Sequence, residues 1–234
     1  MKIIDLQTDA VALFKERINK YLGVVDIISP FQQERVEVHI HDPGRLSEIL
    51  FANNKLLLKY VDKPTRKTKW DVIAGLVDNN YILIHSNYHR KISENILKQG
   101  LLLPYEKIKK IKPEAKYQNS RLDFLITTQN NTSLWIEVKG CTLVKNSIAM
   151  FPDAPTKRGT KHLKSLLELT ERGFKCALLI LIFNPCAQYF TPNRDTDPEF
   201  TELFYKCCNV MDIYPFTFEY RDNSLWLVGK IPVV

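Results

Sequence analysis

Leu122-Asp123-Phe124-Leu125-Ile126-Thr127-Thr128, the polar run Gln129-Asn130-Asn131-Thr132-Ser133, and Leu134-Trp135-Ile136-Glu137-Val138-Lys139 read together as a β-hairpin. Side chains alternate across a strand, so Leu122, Phe124 and Ile126 take one face while Asp123 and Leu125 take the other. Glu137 and Lys139 share a face with Trp135. With the turn centred near Asn130 or Asn131, Asp123 falls opposite Glu137 or Lys139, and two carboxylates and an ammonium project to one side. That set suits phosphodiester hydrolysis. Mg²⁺ or Mn²⁺ prefers oxygen ligands and keeps positions open for water and a phosphate oxygen, which makes Asp123 and Glu137 candidate ligands. Lys139, a compact charge, orients the attacking water or meets developing negative charge. Glu94, on a short helix upstream, is a candidate third metal ligand. Cross-strand surface charges produce the same spacing by chance, so the flanking sequence has to decide.

Phe151-Pro152-Asp153-Ala154-Pro155-Thr156-Lys157-Arg158-Gly159-Thr160-Lys161-His162-Leu163 follows. Its prolines stiffen a loop, Thr156 is a good N-cap, and a helix over residues 156–172 is closed by Gly173. Lys157 and Arg158 stand in the first turn against the helix macrodipole, an arrangement favoured when an anion sits there. Leu163, Leu166, Leu167 and Thr170 make the apolar stripe. Arg158, Lys161, His162 and Ser165 make the opposite face, for phosphate or for solvent. Residues 55–69 are also basic, with Arg66 and Lys67 as candidate nucleic-acid contacts, and residues 107–121 carry Lys107, Lys109, Lys110, Lys112, Lys116 and Arg121 against Glu114. Tyr60, Trp70, Tyr105 and Tyr117 lie close by and offer stacking surfaces for unpaired bases, although strand and core roles are commoner. His39, His41, His85 and His89 lack acidic or cysteine partners at zinc spacing, which favours structural roles.

Outward from this block, Val11, Phe14, Ile18 and Tyr21-Leu22 recur at helical spacing, and the pattern predicts a helix over residues 8–21 stopped by Gly23. Strand-like runs over 24–28, 35–40, 55–61 and 70–77 predict a small antiparallel barrel, of which the oligonucleotide-binding (OB) fold is one kind. From residue 81 the pattern is mixed α/β: a strand over 81–84, a helix over 92–98, the hairpin, the basic helix, a buried strand over 174–183, then a helix and a strand. The division expected is a barrel over residues 1–80 and an α/β domain over 81–234. The 234 residues carry a net charge of +7, which points to a polyanionic partner. Five cysteines without CxxC spacing argue against a disulfide framework or zinc knuckle, and reduced thiols fit a cytoplasmic protein. No apolar run reaches membrane-spanning length and the start lacks a signal-peptide core, so no membrane partner is expected.

Taken together these motifs resemble the sugar fermentation stimulation protein family. The resemblance rests on Ser120-Arg121-Leu122-Asp123-Phe124-Leu125, Glu137-Val138-Lys139-Gly140-Cys141-Thr142-Leu143, the whole 151–163 block and Asp197-Pro198-Glu199-Phe200. In the first half, His39-Ile40-His41-Asp42-Pro43-Gly44-Arg45-Leu46 is similar to the family's H-x-x-N-x-G-R-L element, with Asp42 for the usual asparagine. Ile84-His85-Ser86-Asn87 stands where the family has V-N-T, and an expected arginine-rich element is absent from residues 24–31. The resemblance implies an N-terminal OB-like antiparallel barrel joined to a PD-(D/E)xK nuclease-like α/β domain, and sequence-nonspecific DNA binding. Asp123, Glu137 and Lys139 match its nuclease core; Arg158, Lys161 and His162 match its basic block; Arg45 matches the barrel motif. Two functions remain open on this reading: a Mg²⁺- or Mn²⁺-dependent nuclease acting on DNA, single-stranded DNA or RNA, and a non-catalytic DNA-binding regulator linked to sugar utilisation.

Overall fold

The computed structural model describes residues 1–102 and 106–234, so Tyr105 lies outside the described residues. The first half runs β1 (Lys2–Asp5), β2 (Ala10–Asn19), β3 (Leu22–Ser29), β4 (Gln33–His39), β5 (Lys55–Tyr60), β6 (Trp70–Val77) and β7 (Asn80–Leu83). The second runs α1 (Tyr88–Lys98), β8 (Ile108–Tyr117), β9 (Ser120–Thr128), β10 (Ser133–Cys141), β11 (Val144–Lys145) and β12 (Ile148–Phe151). It continues through α2 (Lys157–Glu171), β13 (Lys175–Ile182), β14 (Tyr189–Pro192), α3 (Pro198–Cys208), β15 (Asp212–Arg221) and β16 (Ser224–Lys230).

Strands β4, β3, β2, β5 and β6 are antiparallel neighbours in that order, and a short parallel contact of β4 with β6, at Val38↔Trp70 and His39↔Asp71, closes them into an OB-like barrel. The helix expected over residues 8–21 is therefore wrong: the segment is β2, paired with β3 on one side and β5 on the other. Ala10, Ala12 and Phe14 alternate into the core, whereas Ile18 and Tyr21 of the supposed helical stripe are 53% and 50% exposed. Period two outranks a sparse period near 3.6 once both edges of the segment find partners. Gly23 ends no helix; a Cβ there would stand 3.1 Å from Ile40 and 3.2 Å from Phe14 across the barrel.

The barrel does not stand apart. β7 pairs with β6 and, at Tyr81↔Tyr220, with β15, so the hydrogen-bonded sheet continues through β15, β13, β10 and β9 to β8. β10, β13 and β15 are parallel, and β13, buried from Cys176 to Ile182, fits the unbroken apolar run of its sequence. One face of this sheet shares a core with the barrel and α1, while α2 and α3 cover the other. The basic stretch at 107–121 holds the edge strand β8: Ile108 and Ile111 pack inward, and Lys109, Lys110, Lys112 and Lys116 face out, guarding an edge that is unpaired among the described residues. β1 pairs with β16, bringing the two ends of the chain together. α2 starts at Thr156, whose hydroxyl accepts the Gly159 N–H at 3.0 Å, and it stops before Gly173 at φ +82°.

Candidate active site

The β9–β10 ladder runs from Thr127↔Ser133 to Phe124↔Ile136 and stops there. One residue further, Asp123 Oδ2 accepts the Val138 N–H at 2.7 Å, so the side chain replaces the missing ladder partner and is pinned to the strand carrying Glu137 and Lys139. On that strand Glu137 Oε1 accepts from Lys139 Nζ and from His162 Nδ1 of α2. An ionised carboxylate only accepts, so the His162 proton sits on Nδ1. Glu137 is 2% exposed, and its second oxygen, Oε2, has no hydrogen-bond partner.

Burial, reinforced by the Glu137 charge, pushes the Asp123 carboxyl up to about 6 despite the opposing Lys139 ammonium and Val138 N–H. Burial also works against Glu137, but there the Lys139 charge and the His162 bond prevail and hold the carboxyl below its ordinary value. One acid is thus firmly ionised and the other titrates close to neutrality. An orphaned carboxylate oxygen beside a carboxyl whose ionisation is opposed makes a donor set that a hard divalent cation fits. Asp123 opens on a cavity of about 560 Å³ whose walls include His89, Arg90, Glu114 and Arg158. His89 reaches this wall because residue 140 is glycine; a Cβ there would lie 2.3 Å from the imidazole. Burial, aided by His85, pulls His89 down to about 4, so it is neutral at pH 7.

Lys157 and Arg158 are exposed in the first turn of α2, which contains no acidic residue. The loop before them is fastened to the barrel. Asp153 Oδ2 accepts the Arg45 N–H at 2.7 Å, and the Arg17 guanidinium ties the same barrel loop, through the carbonyls of Asp42, Gly44 and Arg45, to the β2–β3 turn at the Lys20 carbonyl. The exposed Arg45 is therefore held within a few residues of the start of α2.

The sequence model of the sugar fermentation stimulation protein RE domain matches residues 87–224, and that of the SfsA N-terminal OB domain matches residues 16–84. The chain belongs to the sugar fermentation stimulation protein family. The sugar fermentation stimulation protein homolog of Thermosipho melanesiensis is 45% identical over 231 residues, covering 98% of this chain and 96% of that protein. That of Methanococcoides burtonii is 39% identical over 237 residues, with 99% and 94% covered. The solved structure of Pyrococcus furiosus SfsA in complex with Ca²⁺ shares the fold, with a TM-score of 0.89 at 24% identity, covering 100% of this chain and 99% of that one.

Several expected site residues are placed elsewhere. Glu94 forms an i,i+4 ion pair with Arg90 at 3.0 Å, and the acid in the cavity wall beside Asp123 is Glu114 of β8. Glu114 was hidden inside a stretch that reads as basic; pairing residues 108–117 with the hairpin would have found it. His162 is not on the solvent face of α2 but buried against Glu137, with Ser165 beside it at Ser120. Lys161 is exposed, yet its ammonium donates to the Asn119 carbonyl at 2.6 Å. Arg66 turns inward and clamps Asp71 with both terminal nitrogens, while Lys67 faces solvent. Asp71 in turn meets His41 and His85, forming a buried cluster able to coordinate a metal ion, its donor atoms all within 4.8 Å of one another. Burial opposes the Asp71 charge, but the two imidazoles and the guanidinium outweigh it and hold its carboxyl well below the usual carboxylate range. The acidic partner that these histidines lacked in sequence comes from another strand. Among the described residues no helix is long and apolar enough to cross a membrane.

Proposed function

We propose that the chain is a DNA-binding, Mg²⁺- or Mn²⁺-dependent nuclease: an OB-like barrel over residues 1–80 contacts nucleic acid, and a PD-(D/E)xK-type domain over 81–234 hydrolyses the phosphodiester. The observation that carries this reading is the convergence of Asp123, Glu137 and Lys139, with a buried Glu137 oxygen left unpaired and the Asp123 carboxyl raised by its surroundings. Asp123 and Glu137 would hold the cation, which when bound polarises a phosphate oxygen and acidifies a water. Lys139 keeps the Glu137 carboxylate ionised and presents positive charge where the pentavalent phosphorus gathers negative charge. His162, donating from Nδ1, positions Glu137 and does not meet substrate. Arg158, in the wall of the Asp123 cavity and at the positive end of α2, binds the phosphate backbone and draws it towards the site. Arg45, Lys67 and Lys157 extend that contact.

One observation favours the second reading, a non-catalytic DNA-binding regulator: Glu137 already accepts from Lys139 and His162, so part of the site's charge is satisfied without a cation. Incubation of the purified chain with single-stranded DNA, duplex DNA and RNA, with Mg²⁺, Mn²⁺ or EDTA, separates the two. Metal-dependent cleavage lost in both Asp123→Ala and Lys139→Ala is expected. Cleavage that survives either substitution overturns the site, and salt-sensitive binding without cleavage selects the regulator.

A further inference from the structure

We propose that His41, Asp71 and His85 form a second metal site, suited to a borderline transition ion of the Zn²⁺ class and separate from the hard-cation centre at Asp123 and Glu137. The donors are two imidazoles and one carboxylate, a set that selects Zn²⁺-like ions over Mg²⁺ or Ca²⁺. Their spacing is right. Around a tetrahedral zinc with bonds of about 2.0–2.2 Å, neighbouring donors stand about 3.3–3.6 Å apart. Here His41 Nε2 lies 3.2 Å from Asp71 Oδ2 and His85 Nε2 lies 3.7 Å from the same oxygen. At 3.2 Å a ring N–H and a carboxylate would ordinarily hydrogen-bond, yet the buried His41 Nε2 has no hydrogen-bond partner. Such closeness without alignment is what donors aimed at a shared third point produce.

The surroundings prepare the ligands. Arg66 grips the Asp71 carboxylate and fixes its plane. Asn87 Nδ2 lies 3.0 Å from His41 Nδ1; Asn87 is exposed, and exchanging its amide nitrogen and oxygen lets Nδ1–H donate to that oxygen and leaves Nε2 its lone pair for the ion. His41 and His85 stack with ring centroids 3.7 Å apart, a contact that disfavours two imidazolium charges and suits two neutral ligands. His85 Nδ1 is buried without a hydrogen-bond partner, so no neighbour imposes a competing tautomer on that ring. Three protein donors leave a fourth position for water. The ligands come from the loop after β4, from β6 and from the link between β7 and α1, so the ion would pin the mouth of the barrel to the segment that opens α1. Asn87, His89 and Arg90 of that segment line the Asp123 cavity. The role follows from this placement: the ion braces the wall of the candidate active site and takes no part in its chemistry.

The metal-stripped chain titrated with Co²⁺ tests the site by its spectrum. Intense visible d–d absorption without a thiolate charge-transfer band is expected, since the donors are nitrogen and oxygen and none of the five cysteines is among them. Zn²⁺ should displace the Co²⁺ and raise the thermal midpoint, while excess Mg²⁺ should not compete. His41→Gln and His85→Asn should each weaken Zn²⁺ binding by more than about 100-fold, and Asp123→Ala should bind Zn²⁺ as wild type does. A thiolate band, Zn²⁺ affinity unchanged in both histidine variants, or affinity lost in Asp123→Ala overturns the proposal. Should a histidine variant fail to fold, the wild-type spectrum and the Asp123→Ala titration decide alone. The nuclease reading can fail in its own assay while this site stands, and the reverse also holds.

Discussion

Asp123→Asn should make the protein more stable while abolishing the proposed chemistry. The asparagine carbonyl can still accept the Val138 N–H that Asp123 accepts at 2.7 Å, so the strand contact survives and only the charge is removed. Burial and Glu137 raise this carboxyl to about 6, against an ordinary value of about 3.9. Between those two values the folded protein keeps a proton that the unfolded chain has released, so stability falls as pH rises through this window. Above it the full penalty applies, about 3 kcal/mol at about 1.4 kcal/mol per pH unit. Urea melts in EDTA at pH 8 should therefore show the variant more stable by about 2–3 kcal/mol, equivalent to about 5–10 °C in thermal midpoint for a chain of this size. At pH 4.5 the gain should shrink below about 1 kcal/mol. Mg²⁺ adds a second readout: millimolar Mg²⁺ at pH 8 should stabilise wild type and leave the variant unmoved. No gain at pH 8, or the same gain at both pH values, would refute the account of Asp123 as a buried acid whose ionisation burial and the Glu137 charge oppose.

Arg158→Ala should weaken DNA binding and flatten the slope of log affinity against log salt by about 1 without changing the urea midpoint; an unchanged slope removes Arg158 from the interface. Arg66→Ala should do the converse, leaving the salt slope alone and costing about 2 kcal/mol or more in urea melts, because it strips the clamp from the buried Asp71. Gly140→Ala forces a methyl into the His89 ring, and about 1–3 kcal/mol of destabilisation is expected by thermal melt, with wild-type stability counting against that contact. Glu94→Ala should leave metal-dependent cleavage intact, whereas Glu114→Ala, in the Asp123 cavity wall, should slow it; the opposite ranking would restore Glu94 to the site.

The contrast between the two halves of the site shows what a linear pattern can carry. Asp123, Glu137 and Lys139 were legible because a tight hairpin converts sequence spacing directly into register: residues symmetric about Asn130 end up opposite one another, and the ladder Ser133↔Thr127 to Ile136↔Phe124 has that symmetry. The buried strand β13 and the capped helix α2 were legible for the same local reasons, an unbroken apolar run and a Thr–Gly pair of end signals. His162 was misassigned because a helical wheel has no external reference. Its polar neighbours Arg158 and Lys161 suggested a solvent face, but the buried side of α2 lies over Glu137, and that buried carboxylate in the middle of β10 draws the histidine inward. The same blindness hid Asp71 from His41 and His85, since the parallel contact of β4 with β6 that joins them spans some thirty residues and leaves no periodic trace. Residues 8–21 failed for a related reason: Val11, Phe14, Ile18 and Tyr21-Leu22 fit a helical period while Ala10, Ala12 and Phe14 fit period two, and only the partners on either side of β2 choose between the two sets. The last two failures concern contacts made across the barrel, and contacts equally distant in sequence fasten Arg45 to Asp153 and seat the first turn of α1 beside Asp123. If that fastening is what couples nucleic-acid binding to the site, Asp153→Ala, which removes the acceptor of the Arg45 N–H, should lower cleavage of long DNA more than it lowers DNA affinity. Equal losses in both would reduce Asp153 to a simple support of the barrel loop.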